Sequence, residues 1–408
     1  MKKIEIKNLH LIFGKEKERA FRRLKQGRSK ADILKSTGCT IAVQDANLTI
    51  NEGEIFVIMG LSGSGKSSLL RCLNKLNVPT RGEVLINGED VLKASDKRLM
   101  EIRREKFAMV FQHFGLLPHR TVLHNIAFGL ELQGVDKEER EQTALNSMEL
   151  VGLDGYGDMM VSELSGGMQQ RVGLARALAN DPEVLLMDEA FSALDPLIRV
   201  QMQDELIAIQ QKMKKTIVFI THDLSEAIKL GDRIAIMRDG EIVQVGTPED
   251  ILTHPANEYV EDFVESVDRS KIISASSIML QRPVFARFPK EGPATLVRQM
   301  RERKLTIIPV VDEKRKLLGE VHIKDLTRLR NSNVKSIESA IKTDNLSVSP
   351  DAIIEDLLPL LTKTNSPICV TDEDNKLLGI IPLPWLIIEM TGKEKSEIEE
   401  IIQNSQFS

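Results

Sequence analysis

The chain has 408 residues, with 55 Lys+Arg against 60 Asp+Glu for a formal net charge of −5, and 42% of its residues are hydrophobic. At roughly 100 to 200 residues per domain that length predicts two or three domains, each able to bury a core, while the charge excludes a basic protein that coats nucleic acid. The three scattered cysteines, Cys39, Cys72 and Cys369, form neither a CxxC pair nor a disulfide framework, which points to a reducing compartment, and neither a signal peptide nor a membrane-spanning run of about 18 apolar residues is expected.

Residues 1–13 alternate apolar and polar side chains, the pattern of a half-buried strand. From Lys15 to Lys35 that pattern breaks, and nine Lys/Arg stand against three Asp/Glu with apolar residues at helical spacing. This segment reads either as a solvated basic helix or as a surface that meets anionic lipid headgroups or a partner subunit. From residue 41 to about 265 short apolar runs ("IFVIM", "VLLMD", "TIVFIT", "RIAIM") alternate with helical stretches, the signature of a mostly parallel sheet covered by helices.

The first run leads into "GLSGSGKSS", which fits GxxxxGK[ST] in the context that motif requires. Gly60, Ser62, Gly63 and Gly65 let backbone N–H groups converge on phosphate oxygens, Lys66 reaches the β- and γ-phosphates, and Ser67, with Ser68 behind it, opens the following helix and offers its hydroxyl to Mg²⁺. "VLLMDEA" ends a buried strand in two carboxylates, a costly arrangement without a cation or a proton to handle. Asp188 is the candidate Mg²⁺ partner and Glu189 the candidate general base for an attacking water. Between these two motifs lies "ELSGGMQQR", in which Ser165, Gly166 and Gly167 open a helix as a second phosphate cradle. One chain cannot easily bring both cradles to one nucleotide, so a head-to-tail dimer that sandwiches two ATP molecules is the natural arrangement.

With these motifs the sequence resembles the nucleotide-binding subunits of ABC transporters, and that resemblance implies a RecA-like core with a helical subdomain. It further implies that Gln112 in "VFQ" senses Mg²⁺ and the transmembrane partner, that Asp195 in "SALD" communicates across the dimer, and that His222 in "ITHD" contacts the γ-phosphate. The family usually stacks adenine on an aromatic residue just before the phosphate loop. Here Phe13-Gly14 resembles that pair, but the basic segment, residues 15–38, interrupts the text as an insertion. Phe13 and the apolar Ile41 and Val43 are the candidates for the adenine face. "IFVIMGLSGSGKSSLLRCLNKLNVPTRGEVLINGED" and "LLMDEAFSALDPLIR", with Ala190 where most ABC importers have Pro, are similar to the ATPase subunits of glycine betaine and proline betaine importers. An importer for choline, carnitine or an amino acid is the alternative.

Beyond residue 265 the stretch 266–282 reads as a linker. "TIIPVVDEKRKLLGEVHIKDL" at 306–326 then aligns without gaps on "SPICVTDEDNKLLGIIPLPWL" at 366–386, an offset of 60 with nine of 21 positions identical. These repeats, expected over 283–342 and 343–402 ahead of an acidic flexible tail at 403–408, resemble a tandem pair of CBS domains, a Bateman module. The resemblance implies a regulatory cleft that could take a nucleotide such as cyclic di-AMP. The Asp that would hold ribose is kept in the first repeat as Asp325 and replaced in the second by Trp385. From Arg287 to Lys335 there are 13 Lys/Arg against 6 Asp/Glu, net +7, whereas 336–392 carries 3 against 9, net −6. An anionic membrane surface and gating by ionic strength are therefore candidate features. Taken together, the chain is expected to work as an osmoregulatory ATPase on the cytoplasmic face of the cell membrane. A second copy of itself and permease subunits with a substrate-binding domain are the expected partners, with no nucleic acid.

Overall fold

The computed structural model describes residues 1–386 apart from 113–114, 266–269, 271, 345 and 362–365. Residues 387–408, which include the expected tail at 403–408, lie outside the described residues. The chain forms two compact units, Met1–Val264 and Glu265–Ser408.

The first unit opens with an antiparallel sheet. Strand β1 (Lys2–Phe13) pairs with β2 (Thr40–Asn51) on one side and β4 (Arg81–Ile86) on the other, and β5 (Glu89–Asp90) closes the edge. The alternation seen in the sequence places Ile4, Ile6, Leu9 and Leu11 in the core, with Val43, Leu48 and Ile50 of β2 beside them. The basic segment between β1 and β2 is not one solvated helix. It folds as two helices, α1 (Lys17–Lys25) and α2 (Lys30–Thr37), the second capped by the Ser29 hydroxyl on the Asp32 N–H and ended by Gly38 at φ 64°. Ala20 and Ile33 pack with Ile12, Cys39 and Ile41 into a small core of their own. Most of the segment's cations stay outside, and Lys25, with Arg81 of β4, lies over the Phe21 ring at 5.0 and 5.6 Å from its centre.

The six-stranded sheet carries the chemistry. Strands β3 (Ile55–Met59), β6 (Phe107–Phe111), β7 (Val184–Asp188), β8 (Thr216–Thr221), β9 (Arg233–Arg238) and β10 (Glu241–Gly246) lie in the order β10-β9-β3-β8-β7-β6, parallel throughout except for the final hairpin. Every residue of β3, β7 and β8 is buried, which explains their unbroken apolar text: helices cover both faces. Helix α3 (Lys66–Leu73) follows β3, α4 (Asp96–Glu105) precedes β6, α9 (Pro196–Met213) joins β7 to β8, and α10 (Leu224–Leu230) joins β8 to β9. A helical group of α5 (Val122–Ile126), α6 (Phe128–Leu132), α7 (Lys137–Leu150) and α8 (Gly166–Leu178) is inserted between β6 and β7, and α11 (Pro248–Thr253) and α12 (Glu258–Val264) close the unit. None of the described helices is long and apolar enough to cross a membrane.

At the junction of β5 and α4, Arg98 holds Glu89 through two hydrogen bonds of 2.7 and 2.8 Å, with Lys106 at 3.4 Å. These cations bring the Glu89 carboxyl from its usual 4.5 down to about 2. A depressed folded value means that the contribution is complete above the unfolded value and is lost as pH falls toward the folded one. Glu89→Gln is therefore expected to lower the melting temperature slightly at pH 7, as befits a solvent-exposed pair. The difference from wild type should narrow below about pH 4.5; a difference that is constant from pH 7 to pH 3 would refute the pairing.

In the second unit, α13 (Ala275–Ile278) precedes two three-stranded sheets of the same design. The first has β11 (Ala286–Arg287), β12 (Ile307–Val311) and β13 (Leu317–His322), with α14 (Pro293–Glu302) and α15 (Ile323–Asn331); the second has β14 (Ser347–Val348), β15 (Ile368–Thr371) and β16 (Leu377–Ile381), with α16 (Ile354–Leu361). The repeat offset of 60 reappears in the register, Val310↔Gly319 in one sheet and Val370↔Gly379 in the other. The modules clasp one another: the Leu317 N–H donates to Asn375 O and the Leu377 N–H to Arg315 O. Buried Glu320 accepts from the Ser366 hydroxyl at 2.7 Å and faces His322 Nε2 at 3.0 Å.

The segment expected as a linker, 266–282, is folded from Ile273 onward. Ile273, Ala275 and Ile278 share one core with Ile354, Leu357, Ile368, Val370 and Ile381 of the second module, and the backbone of Leu280 pairs with that of Ile380. A four-residue helix is too short to show a period in the sequence, which is why this stretch reads as irregular.

Candidate nucleotide site

The site lies at the carboxyl ends of β3, β7 and β8, where a parallel sheet leaves its loops free to hold a ligand. The chain leaves β3 through Gly60 at φ 149°, Gly63 at 80° and Gly65 at 101° and enters α3 at Lys66. Space as well as angle dictates two of these glycines. A Cβ on Gly60 would stand 2.2 Å from Met237 O, and one on Gly65 would stand 2.3 Å from Ala42 O. Lys66 is buried and folds back onto the loop, with Nζ 2.9 Å from Gly60 O and 3.1 Å from Leu61 O. Burial lowers the pKa of that ammonium, while Glu189 and Asp188 pull it back up. An incoming anion therefore meets a buried cation already held at the loop by its own carbonyls.

Ser67 donates to Asp188 Oδ1 at 2.7 Å, and Arg71 takes Asp188 Oδ2 at 3.0 Å. Ser67 and Arg71 are four residues apart on one face of α3, so the pairing of Arg71 is a signal the sequence holds and motif reading passes over. A hydroxyl and a carboxylate at the edge of a phosphate loop are hard oxygen donors of the kind Mg²⁺ takes, and Ser67 and Asp188 fit that role. The ion would offset negative charge on the phosphate oxygens.

Glu189 sits at φ 48°, a left-handed conformation that is rare outside glycine and costs energy when imposed on a carboxylate residue. The turn is locked by the Ser192 hydroxyl and N–H on Glu189 O, at 2.9 and 3.1 Å, and by Ala190 and Phe191 buried behind it. The consequence is that the carboxylate projects between two partners, 3.9 Å from Lys66 Nζ and 3.4 Å from His222 Nδ1. His222 is exposed just past β8, where the Thr221 hydroxyl accepts from the Asp223 N–H and holds the turn. Glu189 can accept a proton from a water in line with a phosphate seated on the loop, and His222 can donate to an oxygen of that phosphate.

Gln112 follows β6, whose last residue, Phe111, pairs with Asp188. Gln112 is exposed, and among the described residues no hydrogen bond joins it to Ser67 or Asp188. Ser165 caps α8 by accepting from Met168 N–H, Asp195 caps α9 by accepting from Ile198 N–H, and a Cβ on Gly167 would stand 2.6 Å from Ile198 Cγ2. The second cradle and Asp195 thus form one packed corner, and no described hydrogen bond or ion pair ties it to the phosphate loop of its own chain. Of the adenine candidates, Ile41 and Val43 are buried in the core and cannot meet a base, whereas Phe13 is 43% exposed. In the second unit Asp325 lies at the start of α15, within 3.6 Å of Lys342 and 3.5 Å of Arg328, and Trp385 is half-buried just after β16. The thiols of Cys72 and Cys369 are pushed up to about 12 by burial, which leaves them inert at neutral pH.

The ABC transporter family model matches residues 43–192, and the CBS domain model matches 276–332 and 334–383. Both CBS matches begin before the boundaries read from the repeats alone. The chain is 53% identical to the glycine betaine/carnitine transport ATP-binding protein of Listeria monocytogenes, over 97% of this chain and 99% of that one. It is 49% identical to the glycine betaine transport ATP-binding protein of Bacillus subtilis, over 96% and 93%. Among solved structures, a dimeric ATP-binding cassette in a post-hydrolysis state with ADP and Pi superposes with a TM-score of 0.51 at 33% identity, covering 60% of this chain and 98% of that one. The chain belongs to the ATP-binding subunits of glycine betaine/proline betaine ABC transporters, ATPases in which, here, the cassette is followed by two CBS domains.

Proposed function

We propose that this chain drives the uptake of glycine betaine or proline betaine: ATP closes a head-to-tail dimer of the chain, closure turns the permease, and water activated by Glu189 resets it. The observation that carries the reading is the convergence of Lys66, Glu189 and His222 on one point at the strand ends, in a chain similar over nearly its whole length to betaine subunits. A groove of about 540 Å³ lined by Arg103, Phe111, Leu132 and Arg176 begins one residue from Gln112 and suits a permease segment with apolar and acidic side chains. Reconstitution with the permease and a substrate-binding domain is expected to give ATP-driven uptake of labelled glycine betaine. Uptake of choline or carnitine with no response to either betaine would overturn the assignment of solute. That second reading draws support from choline and carnitine subunits at 37% and 35% identity.

The same reading includes control by the CBS pair and by ionic strength. The net +7 of residues 287–335 and the exposed cations of α1 and α2 favour contact with anionic lipid that salt would weaken over about 8 Å. Uptake in vesicles containing anionic lipid is expected to rise with salt and to be altered by added cyclic di-AMP. A salt response that is flat in both anionic and neutral vesicles would remove the first part, and indifference to the dinucleotide would remove the second.

A further inference from the structure

The phosphate loop rests on a turn that carries none of the recognised motifs. Between β9 and β10 the chain reverses through Asp239 at φ 49° and Gly240 at φ 78°. The turn touches the loop at both ends: Met237 O occupies the space beside Gly60, and the Gly240 N–H donates to Ser64 O at 2.8 Å. Gly240 O accepts from Gln44 N–H at 2.8 Å, so the loop, the turn and β2 are fastened together by backbone alone. Any shift of the turn is a shift of the groups that receive phosphate.

Two side chains from distant parts of the sequence reach this turn. Tyr259, on α12, donates from its hydroxyl to Met237 O at 3.5 Å, and that hydroxyl oxygen in turn accepts from the backbone N–H of Leu61 in the phosphate loop. Its ring is fixed between the Arg238 guanidinium, 4.5 Å from the ring centre, and the edge of Phe263. Lys30, the first residue of α2, brings its ammonium against Gly240, where a Cβ would lie 3.1 Å from Nζ. That ammonium is buried with no hydrogen-bond partner among the described residues, drawn in by the carboxylates of Asp239 and Glu241 on either side of the glycine. A buried, unbonded cation is costly and calls for a reason to keep it.

We propose that Lys30 and Tyr259 are positioning residues for ATP, holding the 237–240 turn from two sides and so setting the geometry of the phosphate loop. Neither touches the nucleotide. The proposal rests on the ATPase reading and extends it, because these residues belong to the inserted helices and to the last helix before the second unit begins at Glu265. Both parts of the chain that the hydrolytic motifs leave idle thereby gain a mechanical route to nucleotide affinity.

Lys30→Met keeps the stem and removes the charge, and Tyr259→Phe removes only the hydroxyl. In the full-length protein each is expected to raise KM for ATP about three- to tenfold, the loss of one modest polar interaction. The value of kcat and the nucleotide-free melting temperature should stay close to wild type, while the ATP-induced rise in melting temperature shrinks. The double variant should raise KM by less than the product of the single effects, because both residues act on one turn. An unchanged KM in either variant overturns the proposal, as does a KM change accompanied by an equivalent loss of nucleotide-free stability. Lys30→Gln repeats the test should the Met variant fold poorly. Absence of ATP hydrolysis in the wild-type chain would instead strike at the ATPase reading.

Discussion

Replacement of Glu189 by Gln is expected to lower ATP hydrolysis by about 10²-fold or more while leaving ATP binding in place. General-base catalysis contributes on that scale, and the amide keeps the size and one hydrogen-bond acceptor of the carboxylate but takes no proton. The backbone strain at Glu189 sharpens the expectation, since the turn locked by Ser192 holds any side chain at this position toward Lys66 and His222. The residues proposed to hold ATP are the phosphate loop and Lys66, and Lys66 Nζ lies 3.9 Å from Glu189. Phosphate release over a single turnover, with nucleotide retention measured on the same sample, separates the two functions. Hydrolysis at the wild-type rate would assign the base elsewhere.

The second large effect concerns Ser165. It caps α8 in an exposed corner with no described tie to its own phosphate loop, yet Ser165→Arg is expected to reduce hydrolysis as strongly as Lys66→Ala. Each would spoil one half of a composite site in a head-to-tail dimer. The two variants should then rescue one another. In an equal mixture about half the dimers pair one chain of each kind, and each of those contains one intact site and one doubly broken site, so up to about a quarter of wild-type activity returns. A mixture as inactive as its parts, with both chains folded and exchanging, would show that cradle and loop do not meet across two chains.

The chemistry was legible in the sequence because it is local. A phosphate loop, a strand ending in paired acids and a Ser-Gly-Gly helix start each fit within a dozen residues, and their strands are buried on both faces, so the apolar runs announce them. What escaped is what the fold brings together from afar. Arg71 gains its meaning only when Asp188, 117 residues away, arrives beside it. Lys30 looks like one cation among nine in a basic segment, and Tyr259 like an ordinary residue on a terminal helix, until β9 and β10 turn back beneath the loop. Two of the three adenine candidates fall away for a related reason: period-two alternation identifies two faces of a strand without saying which one meets the core, and Ile41 and Val43 are on the inner face while Phe13 is exposed.

The shared core of the second unit has a consequence for how the protein is made. Ile273, Ala275 and Ile278 leave the ribosome before the first CBS module, but the strands that receive them end only at Ile381. The first module, with a core of its own, is therefore translated while an apolar segment just ahead of it still waits for its partner strands in the second. A gene shortened between the modules would leave that segment bare, whereas a cut at residue 265 would separate the cassette from an intact pair of CBS domains. Duplication of a 60-residue unit thus produced a part that natural deletion cannot easily halve.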